Sequence, residues 1–516
     1  MVSANDAVER ARQYHERTAH SPRSVRESGH RLDWDIKPSP FKLYPELPVV
    51  ALPRQLPAAA ADAFRAMSGS LPSSSGVGLE RLAALLHLSA GVTRSKTYPG
   101  GGQMFFRAAP STGALYQTEV YVVAGEVRGL PPGVYHFGPG DFALRRLRDG
   151  DLRGELARAA ADESVAARPA TLGLSGLYWR NTWKYQARGY RHLFWDSGTM
   201  LAQLLASVAA HGLPARVVEG FVDADVNALL GLDATREGAL LLLPVGEGGR
   251  PAPPPLPVPA IDPAVIPLSA TEVSYPLLVE AYANSELEAD ADVRDWRARG
   301  SALAQRATRG VDLVPLPPPQ EVAGRDLVET IERRGSTREF SGEAISAAAL
   351  SNALYHATRG FPADVPSGLV AVYLAVHAVD GIAPGAYAYH PIPHALELLA
   401  SGDLRAESAF LCLEQPLGGM SSATVFFLAD LRALLGALGN RGYRVANLEA
   451  GVIGGRLYLA AYAQRLGATG LTFYDAEVVR FFSPHAAGKD ALFVTALGRS
   501  VKAAPRANAP LLQVRA

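Results

Sequence analysis

Residues 181–198 read NTWKYQARGYRHLFWDSG, and the second part of this stretch returns as RGYRVANLEAG at residues 441–451. In both places Arg-Gly-Tyr-Arg is followed at the same spacing by an acidic residue, a small residue and glycine, and the copies are 253 residues apart (441 − 188 = 253). At this separation Lys184-Tyr185 corresponds to Ala437-Leu438. The chain is therefore predicted to contain two diverged copies of one domain, of which only the first carries a pair of proton-transfer groups.

The length and composition of the chain agree with two ordinary globular domains. Its 516 residues exceed the roughly 250–300 at which a single hydrophobic core stops growing. Hydrophobic residues make up 48% and charged residues 19%, which favours neither disorder nor a fibre. Lys plus Arg and Asp plus Glu balance at 50 each, so the charge predicts no nucleic-acid or membrane-surface partner and favours small or neutral substrates.

The cysteine and histidine content argues against disulfide and metal chemistry. Cys412 is the single cysteine, which excludes an internal disulfide and a multi-cysteine metal site and is typical of a reducing compartment. The 12 histidines show no His-x-x-x-His spacing or similar pairing with carboxylates, so no metal site is expected. Residues 1–13 lack the apolar core of an export signal, and no apolar run approaches the ~20 residues of a membrane span. A cytoplasmic protein is predicted.

Repeated elements and proline-rich stretches predict the domain organisation. Helical and strand patterns are mixed in both halves, which favours an α+β fold in which each domain has a central sheet flanked by helices. A second repeat, FVDA at 221–224 and FYDA at 473–476, supports the duplication. A proline-rich and therefore stiff linker between the halves would let the two domains pack as a pseudo-dimer within one chain. The expected parts are an extended amino-terminal arm at 1–50, a first domain at 51–250, a proline-rich linker with a helix at 251–320, a second domain at 321–505 and a tail at 506–516.

Arg334, Ser336 and Arg338 form an Arg-x-Ser-x-Arg motif just before a helical pattern in the second half. Two guanidinium groups and a hydroxyl at alternate positions can converge on one phosphate, because arginine presents a planar fork of donors. A solvated basic turn is the alternative interpretation of so short a motif. The first half has no such motif ahead of its own helix.

Pro110, Ser111, Thr112 and Gly113 precede a strand in the first half and combine a rigid proline, two hydroxyl groups and a glycine. The glycine lets the backbone approach a flat ligand, so the segment is a candidate for lining a ring, although an ordinary turn explains the same residues. In the second half the corresponding region around Pro366 is shorter and lacks the Ala-Leu-Tyr that follows. These losses are complementary, which predicts one composite site built from both halves.

Together these motifs resemble the flavin-dependent nitroreductase superfamily and, within it, the SagB-type (ThcOx/McbC-like) azoline dehydrogenases, here in a tandem-domain form. The resemblance extends over nearly the whole chain, including the arm at 29–34. It implies one FMN where two nitroreductase-like domains meet. It also implies that the Arg-x-Ser-x-Arg motif of the second domain holds the phosphate and that the Pro-Ser-Thr-Gly turn of the first domain contacts the isoalloxazine ring.

Three further positions are assigned by the resemblance alone. Gly470 and Leu471 follow a helix and look like the family's glycine-containing loop, whose backbone faces the flavin ring. Arg499, after the last predicted strand, lies where relatives place another cation for the phosphate, and a surface arginine is the alternative. All three are therefore expected to contribute to cofactor binding.

Lys184 and Tyr185 match the pair that these azoline dehydrogenases are thought to use for deprotonation. Oxidation of a thiazoline or oxazoline to the azole removes a proton from carbon and delivers a hydride to the flavin, so a base must face the flavin. A lysine serves as this base if burial lowers its pKa. The alternative is a Lys-Tyr pair that extends along an exposed helix face.

The implied activity is FMN-dependent oxidation of azolines in a peptide or a carrier-bound natural product, with molecular oxygen as the acceptor and a cyclodehydratase as a partner enzyme. The implied assembly is a pseudo-dimeric monomer or a higher homo-oligomer. Two other functions stay open from the sequence: NAD(P)H-dependent reduction of nitro, quinone or enone compounds, and a flavin-free scaffold of a peptide-modifying complex. Loss of the Lys-Tyr pair would favour the first, and loss of the Arg-x-Ser-x-Arg motif would favour the second.

Overall fold

The computed structural model describes residues 3–59, 61–69, 76–99, 102–248, 250–255, 258–303 and 312–502, so the predicted tail at 506–516 lies outside the described residues. The strands of the first half are β1 (Val49–Ala51), β2 (Val77–Gly78), β3 (Val92–Thr97), β4 (Gln103–Arg107), β5 (Thr118–Ala124), β6 (Val127–Arg128), β7 (Gly133–Gly138), β8 (Ala143–Asp149), β9 (Ala170–Leu177) and β10 (Glu237–Val245). The strands of the second half are β11 (Leu313–Pro315), β12 (Ala371–Val376), β13 (Gly385–His390), β14 (Ala395–Ser401), β15 (Ala423–Ala429), β16 (Gly467–Gly470) and β17 (Asp490–Gly498).

The helices follow the same division. Those up to the linker are α1 (Glu9–Arg17), α2 (Pro22–Glu27), α3 (Ala63–Ser68), α4 (Leu79–Ala90), α5 (Arg153–Ala159), α6 (Glu163–Ala166), α7 (Tyr178–Tyr185), α8 (Gly189–Ala210) and α9 (Asp223–Leu230). Those of the linker and second half are α10 (Pro276–Ala283), α11 (Asp290–Ser301), α12 (Leu327–Arg333), α13 (Ala347–Thr358), α14 (Arg405–Leu411), α15 (Pro416–Met420), α16 (Leu431–Leu438), α17 (Arg441–Ala463) and α18 (Asp475–Phe481). No helix of the described residues combines the length and apolar character needed to cross a bilayer.

The two large sheets are antiparallel and share one topology. The first has the strand order β1-β8-β7-β5-β9-β10, and the second has the order β11-β14-β13-β12-β15-β17-β16. Position by position the orders correspond, and the second sheet adds β16 at its edge. Strands β5, β9 and β10 are buried along their whole length, because helices cover both faces of the sheet. The expected duplicated α+β fold, with a central sheet flanked by helices in each copy, is confirmed.

The long helices α8 and α17 form the centre of the interface between the halves, and the duplicated motif lies on them. Gly198 and Gly451 are their point of closest approach. A Cβ atom at Gly198 would lie 2.5 Å from the carbonyl oxygen of Leu448, and one at Gly451 would lie 2.6 Å from the carbonyl oxygen of Trp195. The repeated glycine is therefore needed for the two backbones to cross this closely.

The two Arg-Gly-Tyr-Arg elements make reciprocal ion pairs across the interface. Arg441 and Arg444 of the second half bind the carboxylate of Asp223 in the first half, at 2.6 and 2.7 Å. In the opposite direction, Arg188 and Arg191 bind the carboxylate of Asp475. All six side chains are buried. Each arginine pair reaches into the other half, which explains why both copies retain it.

The amino-terminal arm is more ordered than the sequence indicated. It contains α1 and α2 where an extended segment was expected, because the helical pattern was obscured by the prolines that follow it. Tyr14 donates a hydrogen bond to the carbonyl oxygen of Ala187 at 2.7 Å, and the backbone N–H of Ala11 donates to the side chain of Asn440 at 2.9 Å. The arm thus contacts both halves.

Candidate functional site

The two domains enclose a cavity of about 960 Å³ where they meet. It lies between the domain 1 turn that precedes β5 and the domain 2 segment between α12 and α13. Every site residue predicted from the sequence except Arg499 lines it, namely Pro110, Ser111, Thr112, Gly113, Lys184, Tyr185, Arg334, Ser336, Arg338, Gly470 and Leu471.

A buried carboxylate organises the Pro-Ser-Thr-Gly turn. The Asp196 side chain on α8 accepts hydrogen bonds from the hydroxyl and backbone N–H of Thr112 and from the hydroxyl of Ser111. Burial raises the pKa of Asp196 to about 6, and the hydrogen bonds from Ser111 and Thr112 offset this only in part. The corresponding carboxylate of Glu449 accepts from the backbone N–H groups of Gly368 and Leu369 in the second half. Both copies of the repeat carry an acidic residue at this position, which is the sequence signal for a carboxylate that holds a backbone segment.

Gly113 allows the turn to lie against Tyr185. Its φ of +66° lies in the left-handed region, and a Cβ atom there would lie 2.8 Å from the Tyr185 hydroxyl oxygen. Any other residue would be strained and would displace the phenol ring. The turn and the catalytic candidate are therefore parts of one wall of the cavity.

Lys184 and Tyr185 end α7 beside each other at the cavity. The Lys184 ammonium lies 5.3 Å from the centre of the Tyr185 ring, and the ring also makes an edge contact with His192. Burial, and then the charge of Arg338, lowers the pKa of Lys184. Burial, and then the charge of Asp196, raises the pKa of Tyr185. This environment shifts Lys184 toward its neutral form and keeps Tyr185 protonated.

The Arg-x-Ser-x-Arg motif of the second domain lines the same cavity. Arg334 is buried and donates from Nε to the carbonyl oxygen of Ala108 at 2.7 Å and from Nη2 to that of Arg107 at 2.9 Å. It therefore joins the two domains as well as lining the cavity. Ser336 lies 3.1 Å from the hydroxyl of Tyr458. The exposed side chain of Arg338 has no hydrogen-bond partner within the described part of the chain.

Two further polar groups of the cavity lining lack a partner within the described residues. These are Nε of Arg94, on β3, and the hydroxyl of Thr337, both of which are buried. A buried donor without a partner costs free energy, so both groups favour a polar ligand in the cavity. Together with the Arg338 guanidinium they suit an anion such as a phosphate monoester. Arg94 lies on a hairpin whose sequence offered no signal for this position.

Gly470 and Leu471 belong to the edge of the second sheet, since β16 ends at Gly470. The N–H of Gly470 donates to the hydroxyl of Tyr458 at 2.6 Å, and that of Leu471 donates to the carbonyl oxygen of Val494 at 3.2 Å. Their backbone N–H groups are thus already bonded within the protein. They line the cavity, as expected of a segment whose backbone would face a flavin ring, but from the end of a strand and not from a loop.

Arg499 does not reach the cavity, which corrects its expected placement. Its exposed side chain donates from Nε to the carbonyl oxygen of Ala344 at 2.9 Å. The next residue, Ser500, and then Lys502 line the cavity. Successive side chains of an extended segment point to opposite sides, so Arg499 is directed away where Ser500 is directed inward. Lys502 supplies the cation at this end of the cavity.

The second interface position generated by the repeat is filled by the linker helix α11. Trp296 is fully buried there and donates from its indole N–H to the carbonyl oxygen of Leu438 at 3.1 Å. A Cβ atom on Gly220 would lie 2.9 Å from its ring. Leu438 corresponds to Tyr185 in the repeat, and Gly220 corresponds to Thr472, another lining residue of the open cavity. The tryptophan therefore occupies the counterpart of the cavity.

Comparisons with known proteins agree with the duplicated fold. The nitroreductase family matches the chain twice, at residues 73–247 and 331–498. A protein of Methanocaldococcus jannaschii that is named as a nitroreductase is 31% identical over 174 residues, covering 34% of this chain and 82% of that protein. The trifolitoxin-processing protein TfxB of Rhizobium leguminosarum bv. trifolii is 25% identical over 184 residues, covering 34% of this chain and 49% of TfxB. The chain thus spans about half the length of TfxB.

One solved structure covers both halves at once. It is a crystal structure from Anabaena variabilis, described as that of a nitroreductase, with 26% identity and a TM-score of 0.75. The superposition covers 95% of this chain and 99% of that one. The family matches extend over more than half of the present sequence, at corresponding parts of the two sheets. The chain therefore belongs to the nitroreductase family, an oxidoreductase family, with two copies of its domain fused in one polypeptide.

Proposed function

We propose that this protein is an FMN-dependent dehydrogenase that oxidises thiazoline or oxazoline rings of a peptide or carrier-bound natural product to azoles. The observation that carries the proposal is the position of Lys184 and Tyr185. They line the same cavity as the Arg-x-Ser-x-Arg motif of the second domain, and their counterparts Ala437 and Leu438 are apolar and covered. The name of TfxB, a trifolitoxin-processing protein, supports a peptide as the substrate class.

The residues of the cavity fit FMN. Arg338, with Ser336 and Lys502 nearby, would hold the phosphate, and the unpartnered Nε of Arg94 supports an anionic group in the same space. The Gly113 turn would lie against the flat ring system. When bound, FMN would supply the hydride acceptor for the substrate, with molecular oxygen as the final oxidant.

Lys184 would take the ring proton of the azoline. Burial and the charge of Arg338 lower its pKa, so a larger fraction of the side chain is neutral and able to accept a proton at physiological pH. Tyr185, whose pKa is raised, stays protonated and donates hydrogen bonds. The substrate loses one proton to Lys184 and one hydride to the cofactor, which together amount to two hydrogens.

The test is the pair of variants Lys184→Ala and Tyr185→Phe. We expect both variants to retain FMN and to lose azoline oxidation by ~10²–10⁴-fold, the usual contribution of a positioned acid or base. Bound flavin is measured by absorbance, and turnover is followed as the loss of two hydrogens from an azoline peptide by mass spectrometry.

Lys489→Ala is the matched control, because Lys489 is a second half-buried lysine with a lowered pKa and lies outside the cavity lining. It should oxidise the azoline at the normal rate. Normal turnover by Lys184→Ala would contradict the proposal. In that case NAD(P)H-dependent reduction of nitro, quinone or enone compounds would be the better account of the cavity.

A further inference from the structure

Three side chains capable of binding a metal converge in the second domain, and none of them lines the cavity. His390 ends β13, Glu397 lies on the neighbouring strand β14, and His485 belongs to the loop between α18 and β17. One ligand atom of each lies within 4.8 Å of the others. The spacing of these residues along the chain gave no sign of the cluster, because 88 residues separate the last two (485 − 397 = 88).

The distances suit a small divalent cation. Oε2 of Glu397 lies 2.8 Å from Nε2 of His390 and 3.6 Å from Nε2 of His485. Tetrahedral zinc with ligand distances of about 2.0–2.2 Å holds its ligand atoms roughly 3.3 Å apart, a value between these two separations. Two imidazoles and one carboxylate leave a fourth position for water, which is the arrangement of an open zinc site.

The surroundings of His485 favour a cation between it and Glu397. Tyr373 donates its hydroxyl proton to the backbone carbonyl oxygen of His485 at 3.3 Å, and its oxygen lies 2.9 Å from Nδ1 of the same residue. When the hydroxyl oxygen accepts from Nδ1–H, the lone pair of Nε2 is directed at Glu397. Two acceptors then face each other at 3.6 Å, and a bound cation would stabilise this arrangement.

Burial and charge narrow the choice of metal. His390 is 3% exposed, whereas the side chain of His485 is 29% exposed, so water can reach the fourth position. Lys489 lies close by and donates to the backbone carbonyl oxygen of His485 at 3.1 Å. Its charge opposes any divalent cation, so the ion must gain most of its affinity from its ligands, and with one carboxylate the site is poor in the oxygen ligands that Ca²⁺ and Mg²⁺ need. Imidazole nitrogen favours zinc.

We propose that His390, Glu397 and His485 bind one Zn²⁺ ion, which ties the loop after α18 to the sheet of the second domain. The first domain cannot repeat this site. By the strand registers, Gly138 and Arg145 take the places of His390 and Glu397 there. The ion is expected to stabilise the fold and to take no part in chemistry at the cavity.

The proposal is tested on the full-length, untagged protein after treatment with EDTA, by titration with Zn²⁺ in competition with a chromophoric chelator. We expect one equivalent of Zn²⁺ per chain and a higher Tm at saturation. His485→Asn and Glu397→Gln should each weaken zinc binding at least ~100-fold, and Tyr373→Phe should weaken it ~10–100-fold through the orientation of His485.

His394→Asn is the matched control. His394 lies in the turn between the same two strands and bonds to Ser351 and Tyr389, and among the described residues it forms no ion pair with a carboxylate. This variant should bind zinc like the unaltered chain. Absence of saturable one-to-one binding, or undiminished affinity in His485→Asn, would overturn the proposal. Circular dichroism checks the fold of each variant, and if Glu397→Gln does not fold, His485→Asn and Tyr373→Phe decide.

Discussion

The duplication creates two equivalent positions between the domains, and this protein keeps one open and fills the other. At the open position Tyr185 and Thr472 border the cavity; at the filled one their counterparts Leu438 and Gly220 pack around Trp296. The frame around both positions is nearly the same, since the ion pairs and the glycine crossing are repeated. A fused pseudo-dimer can therefore lose one of its two sites and still keep the interface that supports the other.

The physical cause lies in the few residues that differ. Lys184 and Tyr185 are polar and face a space in which a ligand or water satisfies them. Ala437 and Leu438 are apolar, and leaving them in an empty cavity would expose hydrophobic surface and forfeit contacts. Helix α11 covers them and converts the second position into part of the hydrophobic core.

The largest expected effect comes from emptying the filled position. Trp296→Ala should lower the free energy of unfolding by about 3–5 kcal/mol, because it removes a fully buried indole and leaves a cavity. It should still bind one FMN per chain, since residues 69–78, between α3 and α4, contain no lysine or arginine to hold a second phosphate. Denaturant unfolding and flavin quantification give the two results.

Trp34→Ala is the matched control for this loss, because Trp34 is 65% exposed. It should cost about 1 kcal/mol or less. A second tightly bound flavin in Trp296→Ala would contradict the loss of the second site, because the two positions would then differ only in whether α11 covers them.

A smaller effect is expected from Arg338, in the Arg-x-Ser-x-Arg motif at the open position. Arg338→Ala should weaken FMN binding by about 1.5–3 kcal/mol, the contribution of hydrogen bonds to a charged group, which corresponds to roughly 10–150-fold in Kd. Arg333→Ala is the control: Arg333 bonds to Glu329 and lies outside the cavity lining. Flavin fluorescence titration measures both. Equal Kd values in the two variants would show that the motif does not bind the phosphate.

The smallest effect concerns the pH dependence of the base. The proposed mechanism requires the neutral form of Lys184, so kcat/KM should rise with pH through an apparent pKa below the ordinary 10.5. The charge of Arg338 is the second cause of this lowered pKa, after burial, so Arg338→Gln should move the apparent pKa upward at saturating FMN. Arg338→Lys keeps the charge and should leave it unchanged. An identical pH profile in Arg338→Gln would exclude electrostatic coupling between Arg338 and Lys184.

Much of the site could be predicted because its parts are contiguous in the sequence. Each part is a short segment whose chemical groups are adjacent or nearly adjacent in the chain. These segments are the Pro110–Gly113 turn, the Lys184-Tyr185 pair and the Arg-x-Ser-x-Arg motif. Their complementary absence from the other half predicted a composite site, and the structure places all of them at one cavity. The placement predicted for Arg499 was wrong because successive side chains of an extended segment point in opposite directions.

The duplicated α+β organisation could be recognised from the amino-acid sequence alone, because a repeat with constant spacing is visible without knowing any contact between residues. Only the tertiary structure decided which distant groups meet. Asp196 holding the turn, Trp296 filling the second position, and His390 meeting His485 all depend on contacts between segments far apart in the chain. Such contacts are set by helix packing and sheet register, and these are fixed only when the whole core closes around them.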